Sequence, residues 1–241
     1  MVSKIKTHLF RAALIPGILL LTGLCHTDAF SQDSDPKLTV SANYSMPPSA
    51  LDAGIGGTVV MAVTVDETGK PKRAGLIIGP MWPCGTEPVK AIEELSSTLT
   101  ETMMTLRFLP GTTDGKPAEK NIALTLQLKN PKLATAPGPV DPATRKPRPT
   151  IISGGVLNGK ATELPKPTYP AVARANRDSG AVSIQVLIDE EGKVVRAGAV
   201  SGAPTLQFAA RESACGAKFT STTLSGNPVK VSGVITYNFV P

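Results

Sequence analysis

The sequence predicts an α+β protein built as two tandem units, each a small antiparallel three-stranded sheet packed with one or two helices. Three observations predict it. A block of residues returns at a fixed offset. Each copy alternates apolar and polar residues with period two around a turn. A helix-spaced stretch and a closing alternation then follow each copy.

Residues 57–79 read GTVVMAVTVDETGKPKRAGLIIG and residues 180–202 read GAVSIQVLIDEEGKVVRAGAVSG. They align at an offset of 123 without a gap, with 11 of 23 positions identical, too many for two unrelated segments. Val182, Ile184, Val186 and Ile188 alternate with Ser183, Gln185 and Leu187, as Val59, Met61, Val63 and Val65 do in the first copy. Asp66-Glu67 and Asp189-Glu190 then lead to Gly69 and Gly192, which can take the positive φ of a hairpin turn. A second strand follows at 194–200. Paired acids could serve acid/base chemistry, but acids beside a turn glycine are ordinary turn chemistry and no partner group accompanies them.

The repeat extends both ways. Met46-Pro47 aligns with Tyr169-Pro170, and Ala50 with Ala173. After the hairpin the lengths differ. The second copy has an Ala-rich helix from Pro204 with Leu206, Ala210, Ala214 and Ala217 on one face. The first has a longer helix over 87–105, with Val89, Ile92, Leu99 and Met103 spaced for one face, preceded by an insertion at 80–88. The copies realign at offset 111, where Phe108 meets Phe219, Gly115 meets Gly226 and Pro117 meets Pro228. The closing strands are 122–128 and 229–239. The last places Val231, Gly233, Ile235, Tyr237 and Phe239 on one face.

Outside the units, Lys4, Lys6 and Arg11 precede an apolar run at 12–25 and a small-x-small site, Ala29-Phe30-Ser31. Residues 1–31 read as a signal peptide, with an uncleaved N-terminal anchor as the alternative. The organisation expected is 1–31 leader, 40–129 first unit, 130–152 Pro-rich basic linker and 153–241 second unit. Lys129, Lys132, Arg145, Lys146 and Arg148 stand against Asp141 alone, so the chain's net +6 belongs to the leader and this linker. Ser153-Gly154-Gly155 at the linker exit reads as a flexible junction; no Lys-Ser/Thr follows to make a phosphate loop.

Exclusions follow from counts. The two histidines, His8 and His26, both lie in the leader. A mature chain without histidine runs no Ser-His or Cys-His mechanism and builds no His-containing zinc site. No nucleophile elbow occurs and no metal-ligand spacing is present, so the expectation is no enzyme, no cofactor and no metal. Aromatics at 4% and near-neutral units argue against nucleic acid. Beyond the leader, Cys84 and Cys215 are an even pair in an exported chain: one disulfide, or two separate thiols.

In the second unit, Pro167, Tyr169, Pro170, Ala173 and Arg174 are followed by Gly180, Val182, Ile188, Asp189 and Gly192. Val200-Ser201-Gly202, Leu206, Ala209-Ala210, Phe219, Gly226, Pro228 and Val229 complete the series. Their order and spacing resemble the C-terminal domain of the TonB energy-transducer family over 160–241. Residues 43–128 look like a degenerate copy that keeps the hairpin without the Tyr-Pro. In that family the domain is periplasmic, a three-stranded sheet with two helices, and it binds outer-membrane receptors by adding a receptor peptide to the edge formed by its last strand. The resemblance thus implies a periplasmic protein that binds an outer-membrane transporter or receptor segment by β-strand addition. Tyr169, Pro170, Val231, Ile235, Tyr237 and Phe239 would be the partner-binding residues. A terminal strand at 229–239 with one charge, Lys230, is a poorly guarded edge. The alternative is that a homodimer mate or the other repeat covers it. A full transducer also carries an anchor whose Ser and His engage the ExbB–ExbD motor. The run at 12–25 has neither, which favours an exported two-domain adaptor over a powered component.

Overall fold

The computed structural model of the chain describes residues 33–40, 43–133 and 151–240. The expected leader and most of the Pro-rich linker lie outside the described residues. The first run of elements is β1 (Lys37–Val40), α1 (Pro48–Asp52), β2 (Gly57–Val65), β3 (Pro71–Ile78), β4 (Trp82–Pro83), α2 (Val89–Thr105), β5 (Arg107–Leu109), β6 (Gly111–Thr113), β7 (Lys116–Ala118) and β8 (Lys120–Leu128). The second is β9 (Ile151–Val156), β10 (Ala161–Glu163), α3 (Ala171–Asn176), β11 (Gly180–Ile188), β12 (Val194–Ser201), α4 (Pro204–Cys215), β13 (Lys218–Phe219), β14 (Thr223–Leu224), β15 (Asn227–Pro228) and β16 (Lys230–Phe239). The two runs correspond element for element, including β1 against β5 and β10 against β13. Among the strands and α-helices of the described residues, β4 and β9 have no counterpart.

Each run closes its own core. Val59, Met61, Val63 and Val65 of β2 face Leu95, Leu99 and Met103 of α2, with Leu124, Leu126 and Leu128 of β8. Val182, Ile184, Val186 and Ile188 of β11 face Leu206, Ala210 and Ala214 of α4, with Val231, Ile235, Tyr237 and Phe239 of β16. Each such aliphatic side chain, once fully buried, contributes about 1.5–3 kcal/mol. Helix α2 turns differently from the expected face. Its buried stripe is Ala91, Leu95, Leu99 and Met103, four residues apart; Ile92 is partly buried and Val89 is 56% exposed. The helix starts two residues later than expected, after Pro88, so Val89 is its first residue.

The repeat's turn glycines have a shared physical cause. Gly69 (φ +82) and Gly192 (φ +86) lie in the left-handed region, and each lies against the backbone of a phenylalanine beyond the helix. Phe108 N–H donates to the Gly69 carbonyl at 3.0 Å, and Phe219 N–H to the Gly192 carbonyl at 2.9 Å. The turn is thereby docked to the strand that follows the helix in both runs. Asp66 and Asp189 hold the same turns. Asp66 accepts from the N–H groups of Thr68 and Lys70, and Asp189 from those of Glu191 and Lys193.

The first sheet has the expected three strands, ordered β3-β2-β8. The second has five, ordered β4-β12-β11-β16-β9. The added pair comes from the insertion and from the linker exit, and each covers part of an edge whose N–H and C=O groups would otherwise face water. Both ends of the expected linker are structured. Asn130 is buried, its Nδ2 donating to the carbonyls of Leu51 and Ile55 at 3.0 Å, and Ile151 and Ile152 begin β9.

Candidate functional site

The sequence predicts the terminal strand β16 as a poorly guarded edge, or as one covered by a homodimer mate or the other repeat. Its first half is paired: β9 runs parallel to it, Ile151 opposite Lys230, Ile152 opposite Val231, Ser153 opposite Ser232, Gly155 opposite Gly233 and Val156 opposite Val234. The Ser153-Gly154-Gly155 segment is therefore strand, not junction, and a bulge at Gly155 (φ +65) absorbs the extra residue. Pairing continues past β9. Leu157 N–H donates to the Val234 carbonyl at 2.8 Å. The Asn158 side chain brackets the next outward position, its Nδ2 donating to Thr236 C=O at 2.7 Å and its Oδ1 accepting from Thr236 N–H at 2.9 Å. An asparagine amide here supplies both groups that a strand residue would supply.

Side chains interlock beneath this ladder. Leu157 is 2% exposed and belongs to the core of the second sheet. A Cβ on Gly233 would stand 2.5 Å from Leu157 Cδ1, so the glycine is the hole that leucine fills. The reverse holds one step back, where a Cβ on Gly154 would stand 2.7 Å from Val231 Cγ1.

The expected partner-binding residues occupy two kinds of place. Val231, Ile235, Tyr237 and Phe239 are all buried in the core that α4 closes. Tyr169 is partly buried against the same core, edge-to-face with Phe239 at 5.7 Å between centroids, and its hydroxyl donates to the Asp178 carbonyl. Pro170 caps the start of α3. The backbone groups on the β9 side of β16 belong to the alternate positions, as at Val234 and Thr236. Period two alone could have separated the two sets, since a strand's inward side chains and outward-facing backbone groups belong to known alternate residues.

Tyr237 carries a pH signature. Its hydroxyl is buried without a hydrogen-bond partner, and burial pushes its pKa up to about 12. The folded state favours the neutral phenol, so its contribution is complete below the unfolded pKa near 10 and is lost as pH rises through about 12. Tyr237→Phe is expected to leave stability at pH 7 equal or up to about 1 kcal/mol higher, because the unpartnered hydroxyl is removed. Urea unfolding between pH 9 and 12 should show the parent losing about 2 kcal/mol relative to the variant.

The other edge of the five-stranded sheet holds a clasp between the two runs. β4 pairs with β12, Trp82 opposite Ala197 and Pro83 opposite Arg196. Cys84 N–H donates to the Val195 carbonyl at 3.0 Å, and Cys84 is bonded to Cys215 at the end of α4, with Cα atoms 5.6 Å apart. Arg211 of α4 is 1% exposed. Its Nε donates to the Ala197 carbonyl at 3.2 Å and its Nη2 to the carbonyls of Trp82 and Pro83, while its guanidinium lies 3.8 Å from the Trp82 ring centroid. Burial lowers its pKa, opposed by the adjacent Glu212 and by Glu87. Arg196 reaches across to Gly54 and Met81 carbonyls. No local pattern marks Arg211; the signal for it is the single tryptophan of the chain standing near Cys84 in an unmatched insertion.

Hydrogen bonds from the Thr68 side chain and the Lys70 backbone hold the Asp66 carboxyl below its ordinary value, the opposite of a general acid. Among the described residues no cluster of His, Cys, Asp and Glu could hold a metal ion.

Residues 165–241 match the family model described as Gram-negative bacterial TonB protein C-terminal. The second unit is thus similar to a TonB C-terminal domain. The match spans about a third of the chain. No curated protein and no solved structure matches the chain. No helix among the described residues is long and apolar enough to cross a membrane.

Proposed function

We propose that this is a non-enzymatic periplasmic TonB-like protein whose second unit binds a segment of an outer-membrane transporter or receptor by strand addition to β16. The observation that carries the reading is that this edge already holds an extended segment, β9, through backbone pairing. Such edges accept peptides by augmentation, with the main chain giving affinity and alternate side chains giving specificity. The leader at 1–31 would deliver the chain to the envelope, and 40–129 would be a degenerate copy that supports the second unit. The clasp favours one further reading. Two units held by a disulfide and a buried arginine suit a rigid exported adaptor without motor coupling, consistent with a run at 12–25 that lacks Ser and His. Titrating the full chain with peptides from receptor plug domains tests the proposal. Saturable binding that Ser232→Pro abolishes supports it, because proline removes an outward donor and clashes in a strand. Absence of binding at millimolar peptide, in the parent and in a chain with the β9 segment loosened, counts against it.

A further inference from the structure

Resting on that strand-addition reading, we infer that Ile151–Asn158 is an internal stand-in for the partner strand, and that its sequence is a template of what β16 accepts. The segment is bound by a specific interlock rather than by general stickiness. Gly154 passes over Val231 where no side chain fits, Leu157 fills the hole at Gly233, and Asn158 supplies the donor and acceptor that Thr236 needs. Ile152 packs partly against the same core. The ligand so described runs parallel to β16. It has an aliphatic residue, glycine two positions later, leucine three positions after that, and asparagine or glutamine next.

Two observations make the segment a displaceable occupant. The first sheet closes a full core with three strands, so a unit of this kind is complete without a strand in the β9 position. And β9 is held from one side only, is parallel, contains two glycines and leaves Val156 67% exposed, so its hold is concentrated in Leu157 and Asn158. Tethering nonetheless gives it an effective concentration in the millimolar range. A partner strand therefore binds the parent with an affinity reduced by the fraction of molecules in which the edge is open.

The test uses the full chain in three forms: parent, Asn158→Ala and Leu157→Ser. The first substitution removes only a partly buried bracket and leaves the apolar core residues in place; the second removes the plug. The probe is a capped synthetic octapeptide of sequence Ile-Ile-Ser-Gly-Gly-Val-Leu-Asn. A control octapeptide carries valine in place of its fourth residue. Both variants should bind the octapeptide at least tenfold tighter than the parent, and the control should bind neither. Amide exchange at Thr236 and Ser232 should speed up in the variants and slow again when the octapeptide is added. Equal binding to all three forms overturns the inference, as does exchange at Ser232 in Asn158→Ala that proceeds only with global unfolding. Receptor-plug peptides separate the two levels. If the octapeptide binds the opened chain while no plug peptide does, the stand-in holds and the receptor reading fails. If plug peptides bind parent and variants equally, the receptor reading holds and the stand-in fails.

Discussion

Replacing Cys84 and Cys215 together with serine should lower the free energy of unfolding by about 2–5 kcal/mol. The bond spans 131 residues, and in the chain-entropy account closing a loop of that length removes about 4–5 kcal/mol of unfolded-state freedom. Its placement adds a structural consequence. It anchors the strand that pairs with β12 and the carbonyls that solvate Arg211, so without it the guanidinium depends on Trp82 and Pro83 staying docked unaided. A buried charge that loses its acceptors is costly. For a chain of this size the loss corresponds to a fall of roughly 5–15 °C in melting temperature. Calorimetry of the oxidised parent against the double variant checks it. Equal melting temperatures show that the bond contributes nothing to the folded state.

Gly192→Ala should destabilise by about 3–5 kcal/mol, the sum of backbone strain at positive φ and overpacking. A Cβ there would stand 2.0 Å from the Phe219 carbonyl oxygen and 2.8 Å from its carbon. Both are backbone atoms, held by the Phe219 N–H to Gly192 hydrogen bond, so neither can swing aside. Gly69→Ala should behave alike, since its Cβ would stand 1.9 Å from the Phe108 oxygen. Gly226→Ala is the control: its φ is +80, but nothing lies within 4 Å, so only the conformational part of the cost, about 1 kcal/mol, applies. Urea midpoints for the three variants should rank accordingly. Equal losses at Gly192 and Gly226 would show that the turn is not docked as described.

What the sequence disclosed and what it withheld have different physical origins. The hairpins, both closing strands and the buried face of β16 follow from period two, because one strand face meets a core and the other does not. The Gly69–Phe108 and Gly192–Phe219 dockings were visible as matched positions at two different offsets, though their cause needed the backbone geometry. The face of α2 was misjudged because Ala91 and Leu95 extend a stripe to which Ile92 is only marginal, and helical spacing admits both sets. The two added strands were hidden for another reason. Ser153-Gly154-Gly155 has poor strand propensity, and Trp82-Pro83 is too short to show a period. Each becomes strand only because a neighbouring edge offers unsatisfied backbone groups, which no local pattern can express. The outward backbone groups of β16 are hard to read for a related reason: apolar side chains mark the buried face in sequence, whereas the groups on the β9 side belong to the alternate residues, among them Val234 and Thr236.

The most direct measurement of the central claim is disulfide scanning between β16 and a receptor-plug peptide. Cysteine is placed singly at Ser232, Thr236 and, on the closing strand of the first sheet, Thr125, in the full chain with and without Asn158→Ala, and peptides carry one cysteine at successive positions. The account predicts cross-links from Ser232 and Thr236 to peptide positions five residues apart and in the same direction, as the parallel β9 register with its bulge requires, with more product in the Asn158→Ala background and none at Thr125. Cross-linking chiefly at Thr125, or with the peptide reversed along β16, would contradict it.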